Sequence, residues 1–126
     1  MLDKYRESIY IRVKKNSFHV LNCKTSCEHT EIASKPFSSQ RLAIGDFFPA
    51  IKTLNIAISK VAKKSIFKLL PIIIIQQQYL SEGGLSRVEE RVLLEITHNI
   101  KPYKVYVWQG AELSKQDILN KAYKEA

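Results

Sequence analysis

A chain of 126 residues fits one domain, and its 45% hydrophobic content is too high for a disordered segment. A formal charge of +8 suits anionic partners such as nucleic acid or an acidic protein face, and it bears on solubility rather than on fold. The most apolar run, Leu69 to Ile75, is interrupted by Pro71 and falls far short of the ~20 residues of a membrane-spanning helix. No apolar signal core follows the charged start Met1-Leu2-Asp3-Lys4-Tyr5-Arg6, so a soluble cytoplasmic protein without membrane contact is the expectation.

Residues 1–8 read as a tail, and 9–126 as a single domain. Ile9, Ile11 and Val13 alternate with Tyr10, Arg12 and Lys14, the period of a strand with one apolar face. After the polar turn Lys15-Asn16-Ser17, Phe18 to Cys23 gives a second strand and hence a hairpin. Glu28 to Ala33 is a weaker third strand, polar enough for an edge. The loop Ser34 to Gln40, with Pro36, leads to a helix opening near Gly45-Asp46. Asp46 suits the positive end of the helix dipole, and Pro49 sits in the first turn, where its missing N–H costs little. Ile51, Leu54, Ile58 and Val61 recur at helical spacing as a buried stripe, with lysines off it.

Leu69 to Ile75 holds four consecutive isoleucines, β-branched and apolar on both faces, as in a central parallel strand covered on both sides. Glu82-Gly83-Gly84 is a loop. Ser86 and Glu89 form a capping box that opens a helix with Val88, Val92 and Ile96 as its apolar stripe. Tyr103 to Trp108 alternates again, Val105 and Val107 facing one way and Tyr106 and Trp108 the other. Ser114 and Asp117 open a last short helix. Three antiparallel strands joined to two parallel ones give a mixed five-stranded sheet with helices packed on it, in the order βββαβαβα.

The chemistry this order could carry is thin. Between Phe47 and Ser81 stand five lysines, Lys52, Lys60, Lys63, Lys64 and Lys68, and no acid. They form a candidate basic binding patch. Tyr103, Tyr106 and Trp108 are candidate aromatic contacts that could stack bases, or pack under the terminal helix. His19, Cys23, Cys27 and His29 are zinc-ligand types, but His19 and Cys23 lie ~13 Å apart along an extended strand and cannot both reach one ion without a bend. The cysteines are read as structural. No carboxylate lies between Ile9 and Ser17, and Asp46 and Glu89 alone cannot build a two-metal nuclease site. No catalytic, metal or cofactor-binding residue is assigned.

Gln40-Arg41-Leu42, Ile44-Gly45-Asp46-Phe47-Phe48 and the block Gly83-Gly84-Leu85-Ser86-Arg87-Val88-Glu89-Glu90-Arg91 resemble a small uncharacterised enterobacterial family, that of YjaA. The same landmarks and the element order are more distantly similar to the first half-domain of the bacterial actin MreB. That resemblance implies an α/β (α+β) fold of the ribonuclease H-like or actin-like half-domain type. Actin-like ATPases carry Asp-x-Gly-Thr after the first strand, where backbone amides wrap a phosphate. Here Lys14-Lys15-Asn16 replaces that turn, and Gln109-Gly110 replaces the family's Glu-Pro after the fifth strand. The expectation is therefore a non-enzymatic interaction protein with no cofactor and no nucleotide, binding another protein or itself. The alternatives are a nucleic-acid-binding domain using the basic helix face, or an immunity protein that blocks a bacterial toxin.

Overall fold

A computed structural model describes residues 6–62 and 69–125. Its elements are β1 (Ser8–Lys14), β2 (Ser17–Asn22), β3 (Cys27–Ile32), α1 (Phe47–Val61), β4 (Ile72–Gln77), α2 (Arg87–His98), β5 (Lys104–Val107) and α3 (Lys115–Leu119), followed by a 3-10 turn at Ala122–Glu125. The five strands form one open mixed sheet in the order β3-β2-β1-β4-β5. β1 pairs antiparallel with β2 and parallel with β4, so β1 and β4 lie at the centre and β3 and β5 at the edges.

Alternation along the strands divides the interior into two layers. Ile9, Ile11, Val13, Phe18, Val20, Ile73 and Ile75 point to the face covered by α1 and α2, and there build the larger core with Leu54, Leu93 and Ile96. Tyr10, Ile72 and Ile74 point to the opposite face, where Cys23, Leu113, Ile118 and Tyr123 cover them. The isoleucine run is therefore apolar on both sides because helices lie on both sides.

Four readings shift against the structure. Ser8, assigned to the tail, opens β1, and Glu7 O accepts a hydrogen bond from Ile72 N at 2.9 Å. β4 starts after Pro71 and runs on through Gln76 and Gln77, both buried. These glutamines are tolerated inside because their amides are occupied. Gln76 accepts from the Tyr10 hydroxyl and donates to Gly110 O at 2.8 Å, and Gln77 donates to Tyr79 O at 3.0 Å. On α1 the buried face is Ala50, Thr53, Leu54, Ala57, Ile58 and Val61, with Ile51 only half-buried. On α2 it is Leu93, Ile96 and Thr97, while Val88 is exposed and Val92 half-buried. Val88 lies in the first turn, on a side of the helix that the core does not reach.

The helix starts follow the sequence. Asp46 is the N-cap of α1, without a side-chain capping bond. Ser86 and Glu89 exchange reciprocal bonds at 3.2 and 2.9 Å, and Ser114 and Asp117 at 3.1 and 2.9 Å. Each box satisfies two backbone N–H groups that the first turn leaves without intrahelical partners.

Candidate functional site

The free edge of the sheet and the helix beside it make the surface most suited to a contact. β3 has β2 on one side and, among the described residues, no strand on the other. α1 packs over β2 and β3 and sends a row of side chains outward along that edge: Phe48, Lys52, Ile56 and Lys60, spaced four residues apart. All four are exposed, Phe48 to 80%. The spacing puts them on one stripe of the helix. Between this row and the strand lies a groove of about 280 Å³, lined by Glu31, Ile32, Lys35, Phe48, Lys52 and Ile56 among others. Ile32, at the end of β3, is 73% exposed. The floor is apolar and the rim carries both signs of charge. The acid on it is tied back, since Glu31 Oε1 lies 2.8 Å from His29 Nε2.

The turn after β1, where the actin-like expectation would put a phosphate, is occupied by the chain's own loop. Asn16 adopts a left-handed conformation with φ 53°. Its Oδ1 accepts from Phe37 N at 2.9 Å and Ser38 N at 2.7 Å, its own N–H donates to Ser38 Oγ at 2.9 Å, and its carbonyl accepts from Ala33 N at 2.9 Å. Phe37 then stacks on Phe18 with ring centres 5.0 Å apart. Asn16 is thus a capping device for the loop that leads into α1. Arg12, two residues before the turn's lysines, is paired with Glu112 at 2.6 Å.

The candidate residues named from sequence scatter. Lys52 and Lys60 share the outward row of α1, alternating with apolar side chains, so the row is mixed rather than basic. Lys63, Lys64 and Lys68 lie outside the described residues. Tyr103 is half exposed and holds the Arg6 guanidinium 3.6 Å over its ring. Tyr106 packs on Tyr123 with ring centres 4.8 Å apart, and Trp108 Nε1 donates to Ala111 O at 2.8 Å. Both join the core under the C-terminal segment and present no common stacking face with Tyr103.

His19 and His29 project from opposite faces of the sheet, as their register partners require. His19 Nδ1 is bonded to Thr30 Oγ1 at 2.6 Å. Cys23 is buried, its thiol pushed up to about 11 by burial, and Cys27 is exposed. Among the described residues no three His, Cys, Asp or Glu side chains gather in a metal-binding cluster. Nor, among them, is any helix long and apolar enough to cross a membrane. Sequence reading missed Ile32, Phe48 and Ile56. The signal for the last two was their place off the buried stripe, where apolar side chains have no packing duty.

The fold defines a mixed α/β domain with a five-stranded open sheet. Its sequence is 34% identical over 93 residues to the uncharacterised protein YjaA of Escherichia coli strain K12, a match that covers 70% of this chain and 72% of that one. The chain belongs to the YjaA family. No protein-family model matches the sequence, and no solved structure matches the fold.

Proposed function

We propose that this chain is a non-catalytic interaction domain, a degenerate half-domain of the ribonuclease H-like or actin-like type, which binds a protein partner or a second copy of itself along the β3 edge. The observation that carries the reading is the exposure of Ile32 and Phe48 beside a strand edge that is unpaired among the described residues. An edge strand offers backbone N–H and C=O groups to an added strand, and adjacent pockets for alternate side chains give such pairing its specificity. Apolar side chains clustered at such an edge mark a contact more often than a solvated surface. Glu28 and Glu31 on β3 discourage indiscriminate edge pairing, as charges on edge strands commonly do, so the partner must meet them with its own polar groups.

Phe48→Glu combined with Ile32→Glu tests this reading. Both side chains are exposed, so the melting temperature of the double variant should stay within a few degrees of the wild type. In sedimentation and in affinity capture from the native host, the wild type should carry a stoichiometric partner or run as a dimer, and the variant should run free. A wild type recovered alone and monomeric, indistinguishable from the variant, sinks the proposal. A gel shift with total RNA and DNA at low salt covers the nucleic-acid alternative, for which binding should weaken steeply with salt.

A further inference from the structure

The free edge of β3 has a definite hydrogen-bonding pattern. Ala33 N donates to Asn16 O at 2.9 Å, which makes Asn16 and Ala33 a hydrogen-bonded pair of the β2–β3 ladder. Phe18–Glu31, Val20–His29 and Asn22–Cys27 follow on the same alternation, so Cys27, His29 and Glu31 spend their backbone groups on β2. The N–H and C=O groups of Glu28, Thr30 and Ile32 point outward, and among the described residues no hydrogen bond takes them up. Beside this edge α1 runs antiparallel to β3. Phe48 lines the groove with Ile32, and Cys27 Sγ lies 3.7 Å from Lys60 O. The midpoint of the row Phe48, Lys52, Ile56 and Lys60 therefore falls beside Thr30. β3 and this row carry Glu28, Glu31, Lys52 and Lys60, so the strip is close to neutral although the chain's formal charge is +8.

We infer that the partner at this edge is a second copy of the chain, joined by antiparallel pairing of the two β3 strands about a two-fold axis at Thr30. This dimer rests on the edge-binding reading above and narrows its partner to the chain itself. Outward groups must meet outward groups, so the axis can fall at His29, Thr30 or Glu31. At His29 it opposes two histidines, and at Glu31 two carboxylates, and like charges directly opposite are destabilising. At Thr30 it sets each His29 opposite Glu31 of the other copy and pairs all the outward groups of Glu28, Thr30 and Ile32. The contact inside each copy, 2.8 Å from His29 Nε2 to Glu31 Oε1, then extends into a ring of alternating partners. Glu28, whose Oε2 lies 3.5 Å from His19 Nε2 of its own chain, faces Ile32 of the other. The helices fit the same axis. α1 packs over β2 and β3, so the two α1 axes come to lie about two strand spacings apart, roughly 10 Å, the distance of packed helices. They run antiparallel, with Lys52 of each opposite Ile56 of the other and Phe48 opposite Lys60. The interface is self-complementary, as a two-fold contact must be.

Ile32→Lys and Ile32→Glu separate this dimer from other edge contacts. Each replaces an exposed apolar side chain with a charged one, so both variants keep the fold. In the dimer, position 32 faces Glu28 of the second copy, twice by symmetry. In sedimentation equilibrium at about 100 μM the wild type should run at twice the monomer mass, and Ile32→Glu should dimerise at least about tenfold more weakly than Ile32→Lys. Cross-linking reads the register. With Cys27→Ser to remove the exposed native thiol, a His29→Cys chain mixed with a Glu31→Cys chain should oxidise to a cross-linked pair, and neither chain should do so alone. Opposed residues of a non-hydrogen-bonded pair have Cα atoms about 4.5 Å apart, within disulfide reach. Either cysteine chain cross-linking alone as readily as the mixture, or equal dissociation of Ile32→Lys and Ile32→Glu, overturns the inference. A monomeric wild type that captures a different protein through Phe48 and Ile32 overturns the dimer and leaves the edge reading standing. A monomer that captures none sinks both.

Discussion

His19 faces Arg12 across the β1–β2 ladder, and the pair shows how one residue can set a pH response. His19 Nε2 and Arg12 Nε are both buried without a hydrogen bond. Glu28 Oε2 lies 3.5 Å from His19 Nε2, within ion-pair distance but outside hydrogen-bond geometry. Burial and then repulsion from Arg12 lower the His19 pKa below its ordinary 6.5, with Lys14 adding to the repulsion and Glu28 opposing it. A histidine with a depressed folded pKa takes up its proton more readily when unfolded. Stability from this group is complete above the unfolded pKa, near 6.5, and falls as the pH drops from there toward the folded value. Urea midpoints measured between pH 8 and 5 should therefore decline for the wild type and decline less for His19→Gln, which cannot charge. Equal slopes in the two proteins count against this account. Glu89 and Glu112 do not obscure the window. Both pKa values are lowered, Glu89 chiefly by the Ser86 backbone N–H and Glu112 by the Gln78 side chain, so they titrate below it.

At the level of elements, the helices divide cleanly into residues that hold the core and residues that do not. On α2, Leu93 is fully buried between the helix and the sheet, whereas Val88 is 72% exposed. Leu93→Ala should cost ~3 kcal/mol, the lost transfer energy plus the cavity it leaves. Val88→Ala should change stability by less than ~0.5 kcal/mol, as surface changes do. Denaturant titration separates the two. A large loss from Val88→Ala would mean that α2 packs on the face its sequence first suggests.

That error is instructive about what was legible. Strands with strict alternation, β1 and β5, were readable as to which side chains share a face, because period two leaves no choice of face, but β1 reads as apolar on one face only and Tyr10 is buried on the other. Helix starts were readable because Ser86–Glu89 and Ser114–Asp117 are local devices. The phase of α2 was not, because its valines and leucines form a stripe wide enough to admit two centres. Only the sheet decides between them. The end of β4 was hidden for a related reason: Gln76 and Gln77 look like a boundary until Tyr10 and Gly110, distant in sequence, and the nearby Tyr79 carbonyl satisfy their amides. The groove at β3 was illegible in the same sense, since it joins residues of β3 and α1 that lie apart in the chain. Of the lysines clustered in sequence, Lys52 and Lys60 share the mixed outward row of α1, and Lys63, Lys64 and Lys68 lie outside the described residues.

For the whole molecule, the question is whether this architecture can hold a nucleotide after its first strand, as an actin-like reading of the sequence would require. Phosphate binding after a first strand needs free backbone N–H groups in a glycine turn and a cation held by a carboxylate. Here the Asn16 N–H is spent on Ser38, and the Asn16 side chain is spent on Phe37 and Ser38. Arg12 is spent on Glu112. Lys14 and Lys15 remain exposed and could draw a polyphosphate by charge alone, an attraction that salt at physiological strength screens within about 8 Å. Displacing the Ser34–Gln40 loop to free the turn would also unstack Phe37 from Phe18, both fully buried. That would expose two aromatic rings at ~1.5–3 kcal/mol each, which a weak phosphate contact cannot offset. Titration calorimetry with ATP and magnesium at 150 mM salt should therefore show no saturable heat, and incubation should release no phosphate above the buffer control. A stoichiometric, magnesium-dependent and salt-resistant site of submillimolar affinity would overturn this reading and place the protein among nucleotide binders.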